Sequence, residues 1–114
     1  MSRLRVVLSF AVLLLATSCA GVPLPKESLS DPGALLFNGY TKEKVDCFRC
    51  HNGNAQGSGR GPGLATRVPK KSDERLGKVI REGEGFMPSY KDDLTDEEVA
   101  QVIGWLRASF PQAK

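Results

Sequence analysis

Histidine occurs once in this chain, at position 51, while cysteine occurs three times and methionine twice. So few soft donors exclude a good deal. A structural zinc site takes four ligands, usually in two separated pairs, and beyond one cluster of three the chain could add only carboxylates. Charge of one sign is scarce as well: 16 basic against 13 acidic residues leave a net charge of +3, too weak a field to indicate a nucleic-acid partner. No internal repeat is present and no segment alternates as a strand does. Long apolar runs are missing, because the longest, residues 6–16, holds eleven residues where a bilayer span takes about twenty. What remains is a chain of 114 residues, 40% hydrophobic and 25% charged, which suits one small folded domain.

The start of the chain carries a separate signal. Arg3 and Arg5 precede the apolar run, and small residues follow it, the pattern of an export signal. Leu15-Ala16-Thr17-Ser18-Cys19-Ala20 resembles the lipobox of bacterial lipoproteins, with Ala16 a weak fit where leucine is preferred. In that reading Cys19 is lipidated and anchors the protein to a membrane, since several acyl chains hold where one does not. In the other, cleavage after Cys19-Ala20 leaves a soluble exported protein. Either outcome removes Arg3 and Arg5 and takes the balance from +3 to +1. Residues 1–19 are thus read as the signal. Residues 20–30, with Pro23 and Pro25, read as a flexible tether with a reach of roughly 34 Å. Residues 31–114 form the domain.

The densest chemistry sits at Cys47-Phe48-Arg49-Cys50-His51. Cys-x-x-Cys-His is the spacing that attaches a c-type haem: each thiol adds to one vinyl group and the next residue brings an imidazole to the iron. His51 is the only candidate for that ligand. Met87 is the only thioether left once Met1 is lost with the signal, so a His/Met iron could be built in one way. Three cysteines, two on haem and Cys19 lipidated or removed, leave no disulfide framework. A redox dithiol belongs at a helix start in a βαβ setting that this chain lacks. A catalytic Cys-His pair would leave Met87 unexplained.

Around this run the periodicity is helical. Asp31 can cap a helix with Pro32 at its first position, with Ala34, Leu35, Leu36, Phe37 and Tyr40 as its apolar face. Ser72 can cap a second, carrying Leu76, Val79 and Ile80 and stopping at Gly83. The clearest starts at Thr95, which forms a capping box with Glu98, and runs through Val99, Val102, Ile103 and Leu106 to Phe110 and Pro111. Trp105 beside that stripe reads as a core aromatic. Residues 52–63 are rich in glycine without the strand or the Gly-x-Gly-x-x-Gly setting of a nucleotide loop, and are read as backbone passing close to a flat cofactor. Lys70, Lys71, Arg75 and Lys78 could form a docking patch but better describe a solvated helix face.

Taken in order, these motifs resemble the class I, mitochondrial-type cytochromes c over nearly all of residues 31–110. Gly33 and Phe37 are similar to the family's Gly-x-x-x-Phe pair, Gly61-Pro62-Gly63-Leu64 to its Gly-Pro-x-Leu loop, Gly85-Phe86-Met87-Pro88 to its Gly-x-Met-Pro loop, and residues 94–98 to its last helix start, with Trp105-Leu106 as the aromatic-aliphatic pair. One departure is a longer spacing from Phe37 to Cys47, an extra loop over residues 39–46. The resemblance implies an all-α small cytochrome c fold, three to four helices and glycine-rich loops wrapped around one covalent haem c. It implies cofactor contacts from Cys47, Cys50, His51, Pro62, Leu64 and Met87, with His51 and Met87 on the metal and the Pro62 carbonyl accepting from the other His51 nitrogen. Leu64, Phe86 and Ile80 are expected to bury the ring. The function implied is single-electron transfer between redox protein partners in an exported, periplasmic chain, by a monomer that is not itself an enzyme. The alternative is a haem subunit of an exported oxidoreductase or a gas-binding protein in which Met87 is displaced.

Overall fold

The computed structural model describes residues 20–112, so the signal and the Cys19 reading lie outside the described residues. Four helices follow in chain order: α1 Pro32–Phe37, α2 Phe48–His51, α3 Asp73–Glu82 and α4 Asp96–Ser109, with single 3-10 turns at Lys26–Ser28 and Val68–Lys70. Among the described residues no strand forms beyond a bridge between Glu84 and Met87, and no helix is long and apolar enough to cross a membrane.

Local chemistry sets the helix limits. Asp31 Oδ1 accepts from the Gly33 and Ala34 amides at 2.8 and 3.3 Å, which starts α1 behind Pro32. The helix stops earlier than its apolar pattern suggests. Gly39, at φ +77°, turns the chain so that its own amide donates to Leu36 and that of Tyr40 to Leu35, a Schellman close that leaves Tyr40 outside. Ser72 Oγ caps α3 through the Arg75 amide, and Gly83 at φ +78° ends it. Thr95 and Glu98 complete both halves of the capping box of α4.

Packing follows from these faces. α4 buries Val99, Val102, Ile103 and Leu106, each contributing about 1.5–3 kcal/mol relative to exposure. Its main neighbour is α1. Gly33 permits that crossing, since a Cβ there would stand 2.0 Å from the Gln101 carbonyl oxygen. Phe37 then meets Trp105 at a centroid distance of 4.9 Å, inside a core that continues through Val45, Val68, Leu76, Ile80, Tyr90 and Leu94. The loop over residues 39–46 returns to α4 through Lys42, which donates to the Asp93 carbonyl at 2.9 Å and to Glu98 Oε1 at 2.6 Å.

The expected tether departs from free slack. Residues 21–24 lie along the domain and hydrogen-bond to Arg49, Asn52, Gly53 and Asn38. Backbone groups left without a regular element find partners on the surface beside α2, a preference that proline content alone does not reveal.

Candidate haem site

A single helical turn assembles the Cys-x-x-Cys-His group. The His51 amide donates to the Cys47 carbonyl at 3.0 Å, and positions i, i+3 and i+4 of such a turn share a face. Cys47, Cys50 and His51 accordingly line one cavity of about 660 Å³, within the ~300–1,000 Å³ usual for cofactor sites. Pro62, Leu64 and Met87 line the same cavity, with Phe37, Val68, Ile80, Tyr90, Val102 and Leu106 supplying apolar surface. All six residues singled out in the sequence meet there.

His51 Nδ1 lies 2.9 Å from the Pro62 carbonyl oxygen. A carbonyl can only accept, so Nδ1 carries the proton and Nε2 keeps its lone pair for a metal. Phe37 stands 6.4 Å from the His51 ring, centroid to centroid, which limits how the imidazole can tilt.

Met87 is set by glycines. Glu84 and Met87 exchange backbone hydrogen bonds at 3.2 and 3.0 Å around Gly85, at φ +59°. As Gly85 alone of the two central residues has positive φ, the turn is type II′, which requires glycine at its first central position. Gly83 must also lack a side chain, because a Cβ there would stand 2.4 Å from the Met87 carbonyl oxygen. Phe86, at the turn tip, is fully exposed. It lines the same cavity as Met87.

Close backbone approaches shape the glycine-rich loop as well. A Cβ on Gly57 would meet the Gly63 amide at 2.5 Å, and one on Gly61 the Cys50 carbonyl at 2.8 Å. Those glycines let the loop close on itself and on α2, and Gly61 also lines the cavity.

Electrostatics separate this site from a nucleophilic one. Burial, with Asp46 and Cys50 nearby, pushes the Cys47 thiol from its ordinary 9.0 up to about 12. A thiol held protonated at neutral pH is a poor nucleophile. Tyr90, raised by burial first and then by Cys47 and Asp46 beside it, donates to Asp46 Oδ1 at 3.2 Å, while Asp46 Oδ2 pairs with Arg49 at 2.9 Å. Sequence reasoning missed Tyr90, whose partner lies 44 residues away. Arg60, Arg67 and Lys71 also line the cavity and have no ion-pair partner among the described residues. Two thiols, an imidazole of fixed tautomer, a thioether, an apolar wall and free cations fit a porphyrin whose carboxylates face outward.

Comparison with known proteins gives the family. Residues 34–106 match the family described as cytochrome c oxidase, cbb3-type, subunit III, and the chain belongs to it. Among solved structures, cytochrome cL from the marine methylotroph Methylophaga aminisulfidivorans is 27% identical with a TM-score of 0.54, covering 68% of this chain and 50% of its own. The c-type cytochrome SorU from Sinorhizobium meliloti is 28% identical with a TM-score of 0.54, over 73% of this chain and 92% of its own. A segment amounting to 13% of the quinohaemoprotein alcohol dehydrogenase ADHIIG from Pseudomonas putida HK5 is 28% identical, with a TM-score of 0.55 over 79% of this chain. The chain thus spans half of the first of these relatives and a small part of the third. No curated protein matches it by sequence. The fold is that of class I monohaem cytochromes c, and the cofactor is one covalent haem c.

Proposed function

We propose that this chain carries single electrons in an exported chain, with Cys47 and Cys50 bound to haem and His51 and Met87 as the axial ligands. The observation that supports it best is the convergence on one cavity of the only histidine and the only thioether among the described residues. The haem supplies a one-electron couple. The protein's part is to hold the His51 ring through Pro62, present Met87 on its glycine-bounded turn and keep water away with Leu64, Ile80 and Val102. Met87 in place leaves no position for substrate, which makes the site a carrier rather than a catalyst. A soft thioether favours ferrous iron and raises the potential relative to two imidazoles.

Donor and acceptor are redox proteins, and the work is done by a monomer on the periplasmic side, either anchored through lipidated Cys19 or soluble. A second reading makes the chain a haem subunit of an exported oxidoreductase with Met87 displaced. The likeness to a segment of a quinohaemoprotein dehydrogenase favours it.

The ferric absorption spectrum decides between them. The first reading expects the weak far-red band of thioether-ligated iron, lost in Met87→Ala while the haem stays attached. A parent protein without that band, binding carbon monoxide readily at neutral pH, would favour the second.

A further inference from the structure

Residues 21–24 form a run of contacts along the ligand helix. The Gly21 amide donates to the Arg49 carbonyl at 2.8 Å, and the Gly53 amide donates to the Val22 carbonyl at 2.9 Å. The Val22 amide donates to Asn52 Oδ1 at 3.1 Å. The Leu24 amide donates to Asn38 Oδ1 at 2.8 Å, and Tyr40 Oη donates to the Leu24 carbonyl at 2.6 Å. The seat is tight. A Cβ on Gly21 would stand 1.9 Å from the Phe48 carbonyl oxygen, and one on Gly53 would stand 2.4 Å from the Leu24 nitrogen.

Two of these partners, Arg49 and Asn52, bracket Cys50-His51. Asn52 has φ +66° and ψ 153°, a region occupied almost only by glycine, so the residue directly after His51 is strained. Such a conformation persists where its surroundings over-determine it. Here Asn52 Oδ1 accepts from both Val22 and Gly53, and Asn38, 1% exposed, links Leu24 to Gly53 through its amide.

We infer that residues 21–24 are a positioning strap for His51, with Asn52 as the residue through which it acts. The inference rests on the reading of His51 as an axial ligand. Gripping the backbone on both sides of Cys50-His51 fixes where the imidazole base leaves α2, and so the bond from Nδ1 to the Pro62 carbonyl. Groups that orient a ligating histidine in this way also tune the metal it binds. A segment 30 residues upstream of Asn52 therefore takes part in setting the redox centre.

The test uses the full-length chain, haem-loaded in a host that attaches c-type haem. Gly21→Val expels the strap. Asn52→Gly removes the Oδ1 acceptor but tolerates the backbone angles, so it tests the strap without a steric clash. Both are expected to shift the His51 ring proton resonances and the reduction potential, and to speed exchange of the Gly53 amide by about tenfold or more. Lower thermal stability with resonances and potential unmoved overturns the strap as a positioning element and leaves it a mere brace. A parent without an imidazole-ligated haem overturns the ligand reading and this inference with it, whereas a ligated parent with unmoved variants overturns the strap alone.

Discussion

Gly33 carries a hydrogen where any other residue would drive α1 off α4, since a Cβ would approach the Gln101 carbonyl carbon at 2.6 Å as well as its oxygen. Gly33→Ala is expected to lower stability by at least ~2 kcal/mol through overpacking, measured by chemical denaturation of the haem-loaded protein; an unchanged midpoint would show that the crossing can relax. Residue roles of this kind were legible where they were local. Asp31, Ser72 and Thr95 announce themselves as caps because the amides they bind lie two or three positions away. Tyr90 with Asp46 and Lys42 with Glu98 do not, because each pair is joined across more than forty residues.

At the scale of elements, two ties join the loops to α4. Glu98, whose side chain is 17% exposed, has its carboxyl held below the ordinary 4.5 by the Lys42 hydrogen bond first and the Thr95 amide next. A lowered folded-state value means stability that is complete above about pH 4.5 and lost as pH falls through the lower value. Lys42→Met should therefore be less stable than the parent at pH 7, and the gap between the two denaturation midpoints should narrow as pH falls below about 4.5; a constant gap would contradict this. On the other side Arg107 donates to Asp73 Oδ1 at 2.9 Å, to the Val68 carbonyl at 2.6 Å and to the Lys71 carbonyl. It binds the 3-10 turn and the start of α3 to the last helix. Arg107→Ala is expected to cost about 1–3 kcal/mol by leaving those carbonyls unpaired, and Arg107→Lys to recover only part, because an ammonium lacks the planar fork. The three longer helices were readable from caps and apolar spacing. α2 was not, being a single turn with neither a side-chain cap nor an apolar stripe.

For the molecule as a whole, the strap changes how an anchor would act. Were Cys19 lipidated, the acyl chains would sit two residues from Gly21, which is already docked on Arg49, so the domain would stand close to the bilayer with the α2 end facing it. Amide exchange on vesicles should then show protection at the exposed residues around Val22 and Arg49, and a freely turning domain would show none. The same cavity bears on folding. A domain of this size gains only a few kcal/mol from its own core, and its apolar residues line a space shaped for a cofactor. The chain carrying Cys47→Ala and Cys50→Ala is expected to lack a cooperative thermal transition when no haem is present; a sharp transition would show that the polypeptide suffices.

The intact mass of the mature protein, taken from a host able to attach c-type haem, bears most directly on the whole account. It should exceed the polypeptide by one haem, and the excess should vanish in the Cys47→Ala, Cys50→Ala chain. A mature protein weighing no more than its amino acids would contradict it.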